Sequence, residues 1–305
     1  MKSERIDRAR GCLLGLAIGD AIGTTVEFKP RGSFTPMTDM VGGGPFQLKA
    51  GEWTDDTSMA LCLGASLLEK GFDLHDQITK YVKWYREGYM SSTGRCFDIG
   101  IATREALNRF NASGNPESGS INPRSAGNGC IMRLAPVPIM YVDHPVKAAQ
   151  LSAEQSKTTH GATECIEASQ LFGEILVRAL EGTYDKNQIL NPEIKNTIPY
   201  SSVRIQSIAD GGYFEYDSLR IKGTGYVVDS LEAALWCFYI TDNFKDAVLT
   251  AANLGDDADT TAAITGQIAG AYYGEMGIPQ DWLDKVVMAR EIGEMAEQLS
   301  KAGVN

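Results

Sequence analysis

The sequence predicts an all-α protein. Apolar residues recur at helical spacing through most of the chain, no segment alternates apolar and polar residues as a half-buried strand does, and loops bearing glycine and proline separate the helical stretches. In chain order, the first helix is expected over 4–22, where Ile6, Ala9, Leu13, Leu16, Ala17 and Ala21 share a face. Met59, Leu63 and Leu67 predict a second over 56–69, and two more follow over 74–87 and 98–110. Helices are then expected over 146–156 and 161–180, the latter on Ile166, Leu171, Leu176 and Ala179. The remaining helical stretches read at 229–240, 244–253, 260–274 and 280–300. Long loops lie over 28–53, 111–129 and 208–225. Long loops inside a compact domain are uncommon and often functional, and 28–53 is expected to flank the entrance of a site. Helices of similar composition resume on both sides of each loop, so a single domain over 1–305 is expected.

Composition narrows the function. A chain of 305 residues has ample material for a buried core. Its formal net charge of −11 argues against binding nucleic acid or an anionic membrane without sequence preference, because both are driven by excess lysine and arginine. The six cysteines (Cys12, Cys62, Cys96, Cys130, Cys165, Cys237) form no CxxC pair, and most sit in apolar surroundings. They read as buried free thiols of a reducing compartment, so a cytoplasmic location is expected, with no zinc knuckle or redox motif. The N-terminal stretch has basic residues before a short apolar run, but Glu4, Asp7 and Asp20 spoil it as a secretion signal. No segment approaches the ~20 apolar residues that span a bilayer. A monomer is the expected state.

The chemistry concentrates at two helix starts. "NLGDDADTTAAITGQIAGAYYG" (253–274) sets Asp256, Asp257, Asp259 and Thr260 before a run of small residues. It is not a calcium loop of the EF-hand type: counting from Asp257, the sixth position is Ala262 instead of glycine and the twelfth is Ile268 instead of glutamate. Helix capping explains one acidic side chain there, not three. "GEWTDDTSM" repeats the pattern with Thr54, Asp55, Asp56 and Thr57 about 200 residues earlier. If the two helix mouths face each other, Thr54, Asp55, Asp56, Asp257, Asp259 and Thr260 make one all-oxygen pocket. Its four carboxylates would repel unless cations sit among them, and two divalent ions offset their charge. Oxygen donors without histidine or cysteine point to Mg²⁺ or Mn²⁺, and a pair of such ions that polarises water describes a hydrolase. Behind Asp259, the residues Ala262, Gly266 and Gly270 form a smooth ridge that another helix can approach closely.

At these residues the chain resembles the ADP-ribosylglycohydrolase family. The resemblance is carried by "GLAIGDAIGTTVEF", "WTDDTSM", "FDIG", "GNGCIMRLAPV", "TTH", "GYVVDSLEAALW" and the 253–274 block, which occur in the family's order and cover most of the chain. It implies a compact orthogonal helical bundle with a dinuclear Mg²⁺ or Mn²⁺ centre held by Thr54, Asp55, Asp56, Asp257, Asp259 and Thr260. Asp256, outside the D-x-D-T core, is expected behind the ligands or as a cap. Glu27 and Asp98 match the family's acidic active-site positions and are expected to be catalytic. Gly127, Asn128, Gly129 and Met132 are expected to cradle a diphosphate, with Arg133 buried behind them. His160 is expected to contact ribose or phosphate, and Tyr226 to stack on adenine.

The implied substrate partner is an ADP-ribosylated protein, with ADP-ribose as product. The implied reaction is hydrolysis of the α-N-glycosidic bond to arginine through an oxocarbenium-like state. The chain departs from the nitrogenase-reactivating branch at Ile101, where that branch places asparagine, which bears on how the group attached to the ribose is read. The rivals are hydrolysis of another linkage (serine, nucleobase or acetyl ester), a dinuclear-metal nucleotide phosphohydrolase, and a reader of ADP-ribose without turnover.

Overall fold

Asp73 caps the helix that follows it: its carboxylate accepts the N–H groups of His75 and Asp76 at 2.8 and 3.1 Å, satisfying donors that have no partner inside the helix. The structure is a computed structural model that describes residues 2–190 and 200–303. Among them lie fourteen α-helices and no β-strand.

The predicted helices form, with shifted ends. The first four are α1 (Lys2–Gly23), α2 (Asp55–Lys70), α3 (Leu74–Glu87) and α4 (Ile101–Ser113). Helix α4 starts later than the expected 98 because Asp98 adopts φ 59°, which no right-handed helix contains. Then come α5 (Pro136–Met140), α6 (Pro145–Ser156), α7 (Thr163–Glu181), α8 (Lys186–Leu190) and α9 (Val203–Ala209). Of these, the short α5, α8 and α9 are too brief for periodicity to reveal. They are followed by α10 (Val227–Ile240), α11 (Phe244–Ala252) and α12 (Ala258–Tyr273). The single helix expected over 280–300 is instead two, α13 (Gln280–Lys285) and α14 (Ala289–Ala302). Between them Met288 takes φ 60°. The freed backbone there is used by the loop before α2: Val287 N–H donates to Gly51 O at 2.9 Å, and Trp53 Nε1 donates to Val287 O at 3.0 Å.

The helix pair α1 and α12 forms the centre. Every residue of α12 from Ala258 to Ala271 is buried, as expected for a helix that is apolar or small on all sides. Gly11, Gly15, Gly19 and Gly23 of α1 face Gly270, Gly266, Ala262 and Ala258 of α12 in turn, so the two run antiparallel with their backbones in contact. A Cβ on Gly19 would stand 2.1 Å from the Ala262 carbonyl oxygen. The ridge expected on α12 does receive a close helix, and that helix is α1. This packing sets Asp20, near the end of α1, beside Asp259, at the start of α12.

Candidate active site

Three chain segments converge on one acidic pocket. Asp20 lies between Gly19 and Gly23 of α1, Asp55 and Asp56 open α2, and Asp257 and Asp259 open α12. One carboxylate oxygen from each of Asp20, Asp56 and Asp259 lies within 4.8 Å of the others, and the same holds for Glu27, Asp257 and Asp259. Two triads therefore share Asp259. The two distant acidic clusters of the sequence meet, as their pattern required if they were to form one pocket.

Asp20, which no motif singled out, organises the start of α2. Its Oδ1 accepts the Thr54 N–H and hydroxyl, both at 2.9 Å, and its Oδ2 accepts the Thr57 N–H at 3.1 Å and hydroxyl at 2.6 Å. Thr54, the residue before α2, makes no cap of its own, so Asp20 supplies it from another helix. With four bonds accepted, Asp20 has its lone pairs taken and acts to hold Thr54 and Thr57. Thr54 Oγ1 in turn lies 3.5 Å from Asp259 Oδ2, and Thr260 Oγ1 donates to Asp56 Oδ1 at 3.3 Å.

Burial and mutual repulsion push these carboxyls upward. Asp20 rises to about 6 through burial, moderated by its bonds to Thr57 and Thr54. Glu27 rises to about 9 through burial and then the charges of Asp98, Asp257 and Asp20. Asp98 rises to about 7 through burial and then Asp20 and Asp257. Asp55, Asp56 and Asp259 are raised well above the carboxylate range, burial first and neighbouring carboxylates after it. Asp259 Oδ1 is buried without a hydrogen-bond partner. A buried carboxylate oxygen with no donor, aimed among others of its kind, is the environment that a hard cation with oxygen ligands fits.

The predicted acidic site residues divide by their place in the pocket. Asp56, Asp257, Asp259 and Glu27 come together in the triads; Asp55 and Asp98 lie outside them but act electrostatically on the same pocket. Asp98 is held there by backbone in the left-handed region, the kind of strain that collects at functional sites. Phe97, next to it, packs against Phe46 with ring centroids 5.3 Å apart and planes tilted by 58°, and so ties the 28–53 loop to Asp98. Asp256 neither caps nor backs the ligands: it is exposed, has φ 53°, and serves through its backbone, which exchanges hydrogen bonds with Phe28 and Lys29. Ile101 is exposed at the first turn of α4.

The glycine-bearing loop adjoins the pocket. Asn128 Nδ2 donates to Asp257 Oδ2 at 2.5 Å and to Ser230 Oγ at 2.8 Å. Gly127 and Asn128 spend their N–H groups on Ser125 O and Gly225 O, at 2.8 and 3.1 Å, which narrows the set of loop N–H groups that can face an anion. Met132 is buried one turn on, and its carbonyl accepts from Gln267 at 2.8 Å. His160 is 3% exposed and lies beneath the loop, where a Cβ on Gly129 would stand 2.7 Å from its Cε1. Burial and then Arg133 lower it to about 3, so the ring is neutral, with Nδ1 2.8 Å from the Thr159 hydroxyl. Arg133 is fully buried behind the loop as expected, bonded to Gln155 and Thr158. Tyr226 is half-buried, bonds Glu164 through its hydroxyl, and carries the Arg204 guanidinium 5.1 Å from its ring centre.

The profile of the ADP-ribosylglycohydrolase family matches residues 1–305. The chain belongs to the ADP-ribosylglycohydrolase family. Among ADP-ribosylglycohydrolase relatives, the ADP-ribosylarginine hydrolase Tri1 of Serratia proteamaculans (strain 568) is 48% identical over 299 residues, spanning 98% of this chain and 80% of the relative. The ADP-ribosyl-dinitrogen reductase glycohydrolase of Rhodospirillum rubrum is 32% identical over 300 residues, spanning 96% of this chain and 95% of the relative. A solved structure described as an ADP-ribosylglycohydrolase-related protein complex superposes with a TM-score of 0.88 at 41% identity, over 99% of both chains. The all-α architecture is thus that of the ADP-ribosylglycohydrolases. Among the described residues no helix is long and apolar enough to cross a membrane.

Proposed function

We propose that this protein is a metal-dependent hydrolase that removes ADP-ribose from modified protein side chains by cleaving the α-N-glycosidic bond to arginine. The observation that carries this reading is the pair of carboxylate triads sharing Asp259, one of whose oxygens is buried without a partner. Asp20 spends its lone pairs on Thr54 and Thr57, so Asp56, Asp257, Asp259 and Glu27 are the triad carboxylates left to face cations. Oxygen-only donors suit Mg²⁺ or Mn²⁺, and two such ions offset the four aspartates of the expected ligand set. The arginine linkage is supported by the activity named for the Serratia relative. Thr54, Asp55, Asp56, Asp257, Asp259 and Thr260 would hold the ions, with Asp20 fixing the start of α2. When bound, such ions supply positive charge that polarises water and ribose hydroxyls.

The chain's own groups do the rest. Gly127, Asn128, Gly129 and Met132 line the diphosphate's position, His160 supports that loop from below, and Tyr226 offers a flat face to the adenine. Asp98, beside the pocket, or Glu27, within the Asp257 and Asp259 triad, takes the proton in its carboxylate form as water oxygen bonds to the anomeric carbon. The bond to the guanidine nitrogen breaks with its electrons going to nitrogen, which regains a proton. The surrounding carboxylates favour the positive charge that develops on the ribose.

Mass spectrometry of an arginine-ADP-ribosylated protein, treated in parallel with serine-linked and acetyl-ester conjugates, tests the reading. Loss of intact ADP-ribose from arginine in the presence of Mn²⁺, abolished by chelator, is expected. Release of AMP, or turnover indifferent to chelator, would contradict it.

A further inference from the structure

Behind the acidic pocket, a chain of hydrogen bonds runs from the α10 helix to Asp257. Ser230, fully buried on α10, donates from its hydroxyl to Thr224 O at 2.6 Å. Its proton is therefore committed, and towards Asn128 it can only accept. Asp257, as a carboxylate, can also only accept. The group between them must present two donors, and the Asn128 amide nitrogen does so, at 2.8 Å from Ser230 Oγ and 2.5 Å from Asp257 Oδ2. The direction of the whole relay thus follows from the first bond. The surrounding backbone locks the same three residues: Asn128 N–H donates to Gly225 O at 3.1 Å and Asp257 N–H to Gly223 O at 2.9 Å. The 223–225 segment is held to α10 by the Ser230 bond to Thr224.

We infer that Ser230 and Asn128 are positioning residues for the cation site: they fix one oxygen of Asp257 so that the carboxylate presents the other to the pocket. The inference rests on the metal-dependent reading above. Asn128 has a second duty beside the loop role expected for it, and Ser230 gains one where the sequence offered only a helix-interior serine. Groups that orient a metal ligand from behind typically change affinity by about 10–100-fold when removed.

The test compares Mn²⁺ binding by calorimetry, and thermal unfolding without metal, for wild type, Ser230→Ala, Ser230→Thr and Asn128→Asp. Ser230→Ala frees the amide to rotate, and Asn128→Asp sets a second acceptor against Asp257 without changing shape. Both are expected to fold and to lose about tenfold or more in Mn²⁺ affinity, with kcat falling more than KM rises, while Ser230→Thr, which keeps the hydroxyl, stays near wild type. Folded Ser230→Ala and Asn128→Asp proteins that bind Mn²⁺ like wild type would overturn the positioning role, as would a loss in Ser230→Thr equal to that in Ser230→Ala. Should Ser230→Ala not fold, Asn128→Asp decides alone. A wild type that binds neither Mn²⁺ nor Mg²⁺ would overturn the metal reading, and this inference with it.

Discussion

Gly15 of α1 and Gly266 of α12 press backbone against backbone: a Cβ on Gly15 would stand 2.2 Å from the Gly266 carbonyl oxygen, and one on Gly266 2.0 Å from that of Gly15. Neither contact involves a side chain that could move aside. Gly15→Ala and Gly266→Ala should therefore separate the helices, destabilising the fold by about 3 kcal/mol or more, at the upper end for overpacking. The same movement parts Asp20 from Asp259, so denaturant titration should show lowered stability together with weakened Mn²⁺ binding. Wild-type stability in both variants would mean that the helices do not meet this closely.

Asp20→Ala tests the borrowed cap. It leaves the buried N–H groups of Thr54 and Thr57 without an acceptor, at a cost of about 2–4 kcal/mol. Part of this is offset in the metal-free protein, where one repelling carboxylate disappears. The deficit should accordingly be larger with Mn²⁺ present than with chelator. An equal deficit in both conditions would detach Asp20 from the pocket's electrostatics.

The metal-free protein should grow less stable as pH rises. Carboxyls ordinarily titrate near ~4 in an unfolded chain. In the folded chain Asp20, Asp98 and Glu27 are raised to about 6, about 7 and about 9. The folded state therefore holds more protons than the unfolded one across this interval, and the stability that protonation supplies is complete at low pH and lost as pH climbs through the folded values. Melting temperatures in chelator should be higher at pH 5 than at pH 8, and Mn²⁺ should recover the loss at pH 8. A melting temperature that rises with pH under chelator would refute this.

Asp98→Asn separates chemistry from scaffold. Asparagine tolerates φ 59° at least as well as aspartate, so the backbone should hold and Mn²⁺ should still bind. Turnover should drop by about 10²–10⁴-fold, the span expected for a lost general acid or base. Full activity in this variant would leave Glu27 as the proton acceptor.

The sequence revealed the parts of the site whose residue types stand out locally. Two Thr-Asp clusters at helix starts are visible as excess charge where one cap would do, and Glu27 and Asp98 come with the family resemblance. Asp20 was missed because it reads as a polar residue closing an apolar helix; its role depends on α2, which starts over thirty residues later. A usable signal did exist. Glycines at 11, 15, 19 and 23 mirror the small residues at 258, 262, 266 and 270, and antiparallel pairing of the two rows sets Asp20 against Asp259. The break at 286–288 had no such mark, since neither glycine nor proline stands there and the interruption comes from Gly51 and Trp53 bonding Val287. Likewise Ser230 is a plain helical serine until Thr224 and Asn128 fold against it.

Anomalous scattering from a manganese-soaked crystal bears most directly on the central claim that one acidic chamber binds the cations used in hydrolysis. Two peaks are predicted, one by Asp56 and one by Asp257 and Glu27, with Asp259 between them, and both should vanish in Asp259→Ala. Density without any peak in this chamber, from protein that still strips ADP-ribose from arginine, would contradict the account.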